Sequence, residues 1–496
     1  MTADPLFLSW HRHPDRLAIV DLAGHHSYAD LGAASGAVAS GLLAGAASLD
    51  EGRVVYLVPP GFDHVAVQWG IWAAGGIAVP AAGSHPDREL EYLLDDSRAV
   101  AAVASAGPTG DRLAPLARAR GIRFVETGEL LRAAPSRLPP PDPERRALMV
   151  YTSGTTGRPK GVVTTHGMIA AQVAAMVEAW GWADPDRSLH VLPLHHIHGI
   201  INAQSCALAV GATVEFLPAF DPAAVWNRFA SGEITFFTAV PTVYARLIAE
   251  WEAADGATRE RWSAGAARLR LMCSGSAALP VATLTRWEAM TGQRLLERYG
   301  MTEIGMGLSN PYRGERRAST VGQPLPGVDV RLSDEDGRTV AEGQQGQIEI
   351  RGPQVFREYW DRPEESRRAF RDGWFLTGDV GMLTDGYYRI LGRQSVDIIK
   401  SAGYKISALE IEEVLREHPA IRDCAVVGIA DPDLGERIGA ALIGREGADP
   451  PSDAELRAWL KERLAPYKVP RAFLTVTDLP RNAMGKVTKA EVRRLF

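Results

Sequence analysis

The run Tyr151-Thr-Ser-Gly-Thr-Thr-Gly-Arg-Pro-Lys-Gly161 sets glycines, small hydroxyl residues and a lysine at the end of the apolar stretch Ala147–Tyr151. Exposed backbone N–H groups, hydroxyls and an ammonium suit the oxygens of a triphosphate. The order is not G-x-x-x-x-G-K-[ST], so the common phosphate-loop NTPase reading fails. A flexible surface loop is the plain alternative. Four further segments place charge beside a turn-former: Arg298-Tyr-Gly-Met-Thr-Glu303, Thr377-Gly-Asp379, Gly392-Arg393 with Asp397, and Pro480-Arg-Asn-Ala-Met-Gly-Lys486. A lone Glu suits a hard cation that also takes phosphate oxygens. An Asp after Gly can accept two hydroxyl hydrogens, although Gly-Asp is also a common turn pair.

Taken together, in this order and at these distances, the five segments resemble the signatures of the adenylate-forming superfamily of acyl-CoA synthetases, peptide-synthetase adenylation domains and luciferases. The resemblance implies activation of a carboxylic acid by ATP and Mg²⁺, followed by transfer to coenzyme A. It implies that Thr152, Ser153, Gly154, Thr155, Thr156, Gly157 and Lys160 cradle phosphates. It further implies that Glu303 ligates the metal beside Thr302, that Tyr299 stacks on adenine, and that Ser274 and Ser276 line the adenine and acyl floor. Asp379 would hold the ribose, with Arg393 near ribose or phosphate, and Lys486 would reach the carboxylate and α-phosphate. By the same resemblance Lys400 and Gly403 fall in the segment that would approach the thioester site after a rotation of the small domain. Two departures stand out. The Arg393-to-Asp397 spacing is one residue longer than in many members, and Ala402 stands where a second glycine is common.

The acid is read from other residues. His195-His-Ile-His-Gly199 reads as a loop, and by resemblance His196 lies near the reacting carboxylate. Three histidines in four residues lack the spread ligands of a metal site. Val240-Pro-Thr-Val-Tyr-Ala-Arg246 opens a helix whose apolar stripe is Tyr244, Leu247, Ile248 and Trp251, with Arg246 off that stripe. Arg246 is a solvated helix arginine or, as the resemblance to malonyl- and methylmalonyl-CoA synthetases implies, the clamp for a second carboxylate. A buried dicarboxylate keeps one charge after adenylation and needs such a partner. Leu295–Pro311 and Ser395-Val-Asp-Ile-Ile-Lys400 also resemble that subgroup, and Met306 would border the acyl group. The expected activity is thus malonate or methylmalonate to its CoA thioester through an acyl-adenylate. The alternative is another small acid, or an acceptor such as an amine. A catalytically silent nucleotide-binding regulator would have lost Lys486, Glu303 or Asp379, and all three are present.

The elements that must position these residues read as α/β. Short apolar runs at Arg53–Pro59, Gly76–Pro80 and Ala99–Val103 alternate with helical stretches, as in βαβ sheets, and the pattern resumes from Ser188 to Leu296. After about Gly322 short β runs with Asp-Gly turns predict a small antiparallel subdomain. Expected domains are an N-terminal adenylation domain over 1–392, with two such sheets and the β subdomain, and a smaller mobile α+β domain over 393–496. Ser407-Ala-Leu-Glu410 has the spacing of a capping box. Within 496 residues, 54 Lys plus Arg against 60 Asp plus Glu give a net charge of −6, so no basic excess points to nucleic acid or an anionic membrane. Three scattered cysteines fit neither a disulfide framework nor a zinc site. With no targeting segment read at the N-terminus, the expectation is a cytoplasmic monomer or homodimer, without membrane insertion.

Overall fold

The computed structural model describes residues 5–152, 158–481 and 487–496. Two large sheets dominate the N-terminal part. The first has seven strands in the order Glu358–Tyr359, Lys160–Thr165, Arg146–Thr152, Ile77–Pro80, Arg53–Leu57, Ala101–Ala104 and Arg123–Glu126. Its central strands are parallel and almost wholly apolar, the mark of strands covered on both faces. The second has nine, with Leu271–Ser274, Phe236–Ala239, Arg187–His190 and Thr213–Phe216 parallel at its centre.

Helices Tyr28–Leu43 and Phe62–Ala73 pack into one core with residues of both sheets, such as Tyr56 and Val214. Every residue from His64 to Ala73 is buried, as expected of a helix with no solvent face. The two helices approach closely because Gly70 leaves room; a Cβ there would lie 2.4 Å from Val38 Cγ1. The outer face of the second sheet carries a separate aromatic core. Trp226 stacks between Trp262 and Trp287, with ring centroids 5.7 and 5.3 Å away.

The expected β subdomain is present as Asp329–Ser333, Gln345–Arg351, Trp374–Thr384, Phe370–Arg371 and Tyr387–Arg393. A fourth sheet, built from Ile398–Ser401, Tyr404–Ser407, Ile421–Asp431, Gly435–Gly444 and Ala472–Thr475, carries helices Ala408–Arg416 and Asp453–Lys461 on its own apolar core. The architecture is therefore α/β, with a large N-terminal part and a smaller C-terminal α+β part.

The N-terminal hairpin Leu17–Ser27 joins the second sheet, pairing Ile19 with Val214. Two local readings differ from expectation. Only the serine half of the expected capping box forms. Ser407 accepts from the Glu410 N–H, while the Glu410 carboxylate takes both its short contacts, 2.7 Å, from Lys468. The segment after His196 is helical, not a loop: His198–Ser205 forms a wide π-type helix, entirely buried. Among the described residues no helix is long and apolar enough to cross a membrane.

Candidate active site

Strand Leu296–Met301 ends in a tight turn and returns as Gly305–Ser309. Only glycine fits at position 300, where a Cβ would sit 2.3 Å from the Gly305 carbonyl oxygen. Three groups of this hairpin matter here. Tyr299 donates its hydroxyl to Asp379 Oδ2 at 2.5 Å. Burial, then the adjacent Asp379, pushes that phenol well above its ordinary range, so it remains a donor. Asp379 lies on Trp374–Thr384, opposite Arg393 in register. Arg393 Nε pairs with Asp379 Oδ1 at 3.0 Å, and its Nη1 donates to the Thr377 carbonyl at 2.7 Å. The Thr377 hydroxyl accepts from the Asp379 N–H at 3.1 Å. The carboxylate is thus fixed from two sides.

Glu303 is 6% exposed. Burial raises its carboxyl above the usual range, opposed by a hydrogen bond from Tyr359 and by the charges of Arg393 and Lys160. Tyr359 Oη donates to Glu303 Oε1 at 3.0 Å. Lys160 reaches the same place: its ammonium lies 5.0 Å from the Tyr359 ring centroid and pairs with Glu365. Thr302 stands beside Glu303 in the turn. Among the described residues no three His, Cys, Asp or Glu side chains cluster as a metal cage. One carboxylate is what Mg²⁺ needs when phosphates supply the other oxygens.

The third group lies deeper. Arg298, on the strand before Tyr299, is 4% exposed. Its guanidinium packs against backbone at Gly275, where a Cβ would lie 2.5 Å from Arg298 Cζ. Burial pushes it down to about 10, so it is charged at neutral pH. Nε and Nη2 are buried and have no hydrogen-bond partner among the described residues. Leaving such groups unsatisfied is costly. Beside it, His198 contacts Thr238 Oγ1 at 2.8 Å through Nε2 and Ser276 Oγ at 3.2 Å through Nδ1. Burial, then Arg298, holds that imidazole well below its ordinary range, hence neutral. Ser276 sits in the left-handed region at φ 66°, a conformation non-glycine residues adopt under constraint. Ser274 is buried at the end of Leu271–Ser274, and Met306 is buried in Gly305–Ser309 opposite Gly300.

The other expected residues are placed as follows. Arg246 is exposed on helix Pro241–Ala253, its guanidinium 4.5 Å from the Phe220 ring centroid. The His196 ring lies against His195, centroids 4.0 Å apart, and His195 contacts His85. Lys400 and Gly403 belong to hairpin Ile398–Ser407, where Lys400 stands directly opposite Lys405 and the turn is Ala402 (φ 49°) and Gly403 (φ 82°). Lys405 pairs with Glu335 of the β subdomain at 2.9 Å. Nearby, Glu413 accepts from Ser319 at 2.5 Å and pairs with Arg389 at 3.1 Å. Thr152 ends its strand opposite Lys160. Ser153, Gly154, Thr155, Thr156, Gly157 and Lys486 lie outside the described residues. Three residues beyond Lys486, Lys489 is 8% exposed and pairs with Asp397 at 2.8 Å and Glu412 at 2.7 Å, while Asp397 Oδ2 accepts from the Arg393 N–H.

Reading by motif missed Arg298, His198 and Tyr359. A charged residue inside an otherwise apolar strand start, Leu295-Leu-Glu-Arg, was the available signal for Arg298. Tyr359 offered none, since it meets Glu303 from 56 residues away.

Comparison with known proteins shows the family of the chain. Residues 6–360 match the family described as AMP-binding enzyme, and residues 410–486 match its C-terminal domain. The chain is 43% identical to a mitochondrial malonate–CoA ligase of Mus musculus, over 98% of this chain and 90% of that one. The crystal structure of ATP-bound MatB from Rhodopseudomonas palustris superposes with a TM-score of 0.90 at 34% identity, covering 100% of this chain and 99% of that one. A malonyl-CoA ligase ternary product complex with methylmalonyl-CoA and AMP gives 0.71 at 36% identity, covering 96% and 100%.

Proposed function

Because the chain belongs to the AMP-binding enzymes, we propose that it is the AMP-forming ligase of a small dicarboxylate, malonate or methylmalonate, with coenzyme A. The observation that carries the choice of acid is Arg298: a buried, charged guanidinium with two unsatisfied N–H groups beneath the Gly275–Ser276 floor. A monocarboxylate would leave it unmatched. A dicarboxylate brings one carboxylate to reaction and offers the other to a guanidinium. Arg246 is assigned to the same task from the outer helix, and Met306 borders the α-carbon.

The reaction has two halves. A carboxylate oxygen of the acid attacks the α-phosphorus of ATP, the bond to the bridging oxygen breaks, and pyrophosphate leaves. The coenzyme A sulfur then attacks the acyl carbon of the adenylate and AMP leaves. Two anions must meet in the first half, so positioning and charge neutralisation dominate. Asp379, held by Tyr299 and Arg393, is assigned to the ribose hydroxyls, and Tyr299 with Ser274 to the adenine. Thr152, Ser153, Gly154, Thr155, Thr156, Gly157 and Lys160 take the phosphates. Glu303, beside Thr302, holds Mg²⁺, which supplies neutralisation of phosphate charge. Lys486 and His196 are assigned to the reacting carboxylate and α-phosphate. Residues 1–392 and 393–496 are taken as the two domains, the second mobile, with Lys400 and Gly403 facing coenzyme A in the second half. The Ala402 methyl at that hairpin tip favours a second reading, in which an amine replaces the thiol. A cytoplasmic site is proposed from three free, buried thiols, which fit a reducing compartment, and cell fractionation of the tagged chain tests it.

The deciding assay follows pyrophosphate release with ATP and Mg²⁺ across malonate, methylmalonate, acetate, butyrate and benzoate, with and without coenzyme A. Turnover of a monocarboxylate equal to that of malonate overturns the choice of acid. Amide rather than thioester product overturns the acceptor.

A further inference from the structure

A buried ammonium near the end of the chain connects, through two residues, to the carboxylate that Tyr299 holds. Lys489 opens the short helix Lys489–Arg493, and its side chain is only 8% exposed. Its Nζ lies 2.8 Å from Asp397 Oδ1 and 2.7 Å from Glu412 Oε1. Burial alone would lower this ammonium, but Glu412 and then Asp397 outweigh it and hold it above its ordinary value, so it stays charged. Glu412 has other donors, the Val426 N–H at 2.8 Å and Arg416 Nη2 at 3.3 Å. Asp397 turns its second oxygen elsewhere. Oδ2 accepts from the Arg393 N–H at 3.0 Å, and the Asp397 N–H donates to the Arg393 carbonyl at 2.8 Å. Gly392, at φ 124°, admits this fold-back, since a Cβ there would lie 2.4 Å from Asp397 Cβ. Arg393 in turn pairs its Nε with Asp379 Oδ1 at 3.0 Å and donates Nη1 to the Thr377 carbonyl at 2.7 Å.

We propose that Lys489 and Asp397 are positioning residues for the nucleotide ribose, fixing the backbone from which Arg393 reaches Asp379. The proposal rests on the reading of Asp379 as the ribose carboxylate. Its physical basis is electrostatic. Asp397 and Glu412 share one ammonium. Without it two carboxylates face one another, and one must take up a proton or turn to solvent. Asp397 is the freer of the two, its side chain 17% exposed against 4% for Glu412, so it is the one that moves. The Arg393 N–H then loses its acceptor, and the guanidinium loses the fixed base from which it aligns Asp379. Neither Lys489 nor Asp397 needs to touch the nucleotide. A lysine that served stability alone would act on every ligand of the site equally.

The test compares AMP with 2′,3′-dideoxy-AMP, which lacks both ribose hydroxyls, by calorimetry on the full chain. The parent is expected to prefer AMP roughly tenfold or more, the range of hydrogen bonds to a charged group. Lys489→Met is expected to weaken AMP roughly threefold to tenfold, the range of a single hydrogen bond, and to leave the dideoxy nucleotide unchanged, so that the preference shrinks. Asp397→Ala is expected to act in the same way. It leaves Lys489 paired with Glu412, and it decides the matter should Lys489→Met protein not fold. Equal weakening of both nucleotides would mean a merely structural ion triad and would overturn the proposal. So would a preference for AMP that matches the parent's in either folded variant. If the parent itself does not prefer AMP, the reading of Asp379 as the ribose carboxylate falls and the positioning role with it. If the parent prefers AMP and the variants keep that preference, only the positioning role falls.

Discussion

The phenolic hydroxyl of Tyr299 donates to Asp379 Oδ2 across 2.5 Å, although the two residues are 80 positions apart. The contact joins the hairpin carrying Glu303 to the β subdomain, and with Arg393 it holds one carboxylate from two sides. Asp379→Ala should raise the ATP KM roughly tenfold to a hundredfold, since hydrogen bonds to charge contribute about 1.5–3 kcal/mol. Tyr299→Phe should raise it by a smaller factor of the same sign. Steady-state kinetics with ATP and acid varied separately decide it; a rise confined to the acid KM would remove Asp379 from the nucleotide.

Arg298 and Arg246 separate by burial. Arg298→Gln should raise the malonate KM roughly tenfold to more than a hundredfold, the loss of a charge-assisted pair, while acetate turnover falls far less. Arg246→Ala should act in the same direction, more weakly because its side chain is exposed. Parallel losses with malonate and acetate would exclude a carboxylate clamp.

Much of this was legible in the sequence, for reasons of scale. Arg53–Leu57 and Ala101–Ala104 announce themselves because a strand covered on both faces must be apolar along its length. Ser407 was visible as a helix cap because capping is local, and its Glu410 half failed because Lys468, 58 residues on, offered the carboxylate a better partner. The pairing of Ile19 with Val214 leaves no local trace. The same limit hid Arg298: its chemistry lies in Gly275 and His198 approaching from other elements, not in its neighbours along the chain.

Glu297 gives a pH signature opposite to that of a salt-bridged acid. Burial pushes its carboxyl up to about 8, against a hydrogen bond from the Leu279 N–H. The folded chain therefore keeps a proton that the unfolded chain releases at the ordinary glutamate value. Stability should fall as pH rises from that value to about 8 and level off beyond, by at most about 1.4 kcal/mol per pH unit. Glu297→Gln, which still accepts from Leu279, should remove this slope. Melting temperatures of both proteins at pH 5.5 and 8.5 check it, and the gap must widen in favour of the variant at the higher pH.

The two lysines near the C-terminus should behave differently. Lys486→Ala should slow adenylation far more than thioester formation from a supplied adenylate; equal losses would mean a structural lysine. Lys489→Met strands Asp397 and Glu412 together, and breaking a buried pair typically costs about 3–5 kcal/mol. Calorimetry should show a lower melting temperature, partly restored by Lys489→Arg, whereas an unchanged melt would show the ion triad to be energetically idle.

The contacts joining the C-terminal sheet to the rest have a consequence of their own. Among the described residues they include a small apolar seam of Val380, Leu391 and Ile398, the part-buried Glu413 with Ser319 and Arg389, and exposed charges such as Lys405–Glu335, whose side chains are 48% and 71% exposed. Exposed pairs contribute about 0–1 kcal/mol each, and 0.1 M salt screens charges beyond about 10 Å. Lys400 and Lys405, directly opposite one another, repel unless an anion lies near, and here the acidic turn supplies it. Of these contacts, the exposed charge pairs are the ones that ions of the medium can replace. Dissolved electrolyte competes for the same lysines as Glu335, so the strength of this contact depends on the ionic strength of the medium.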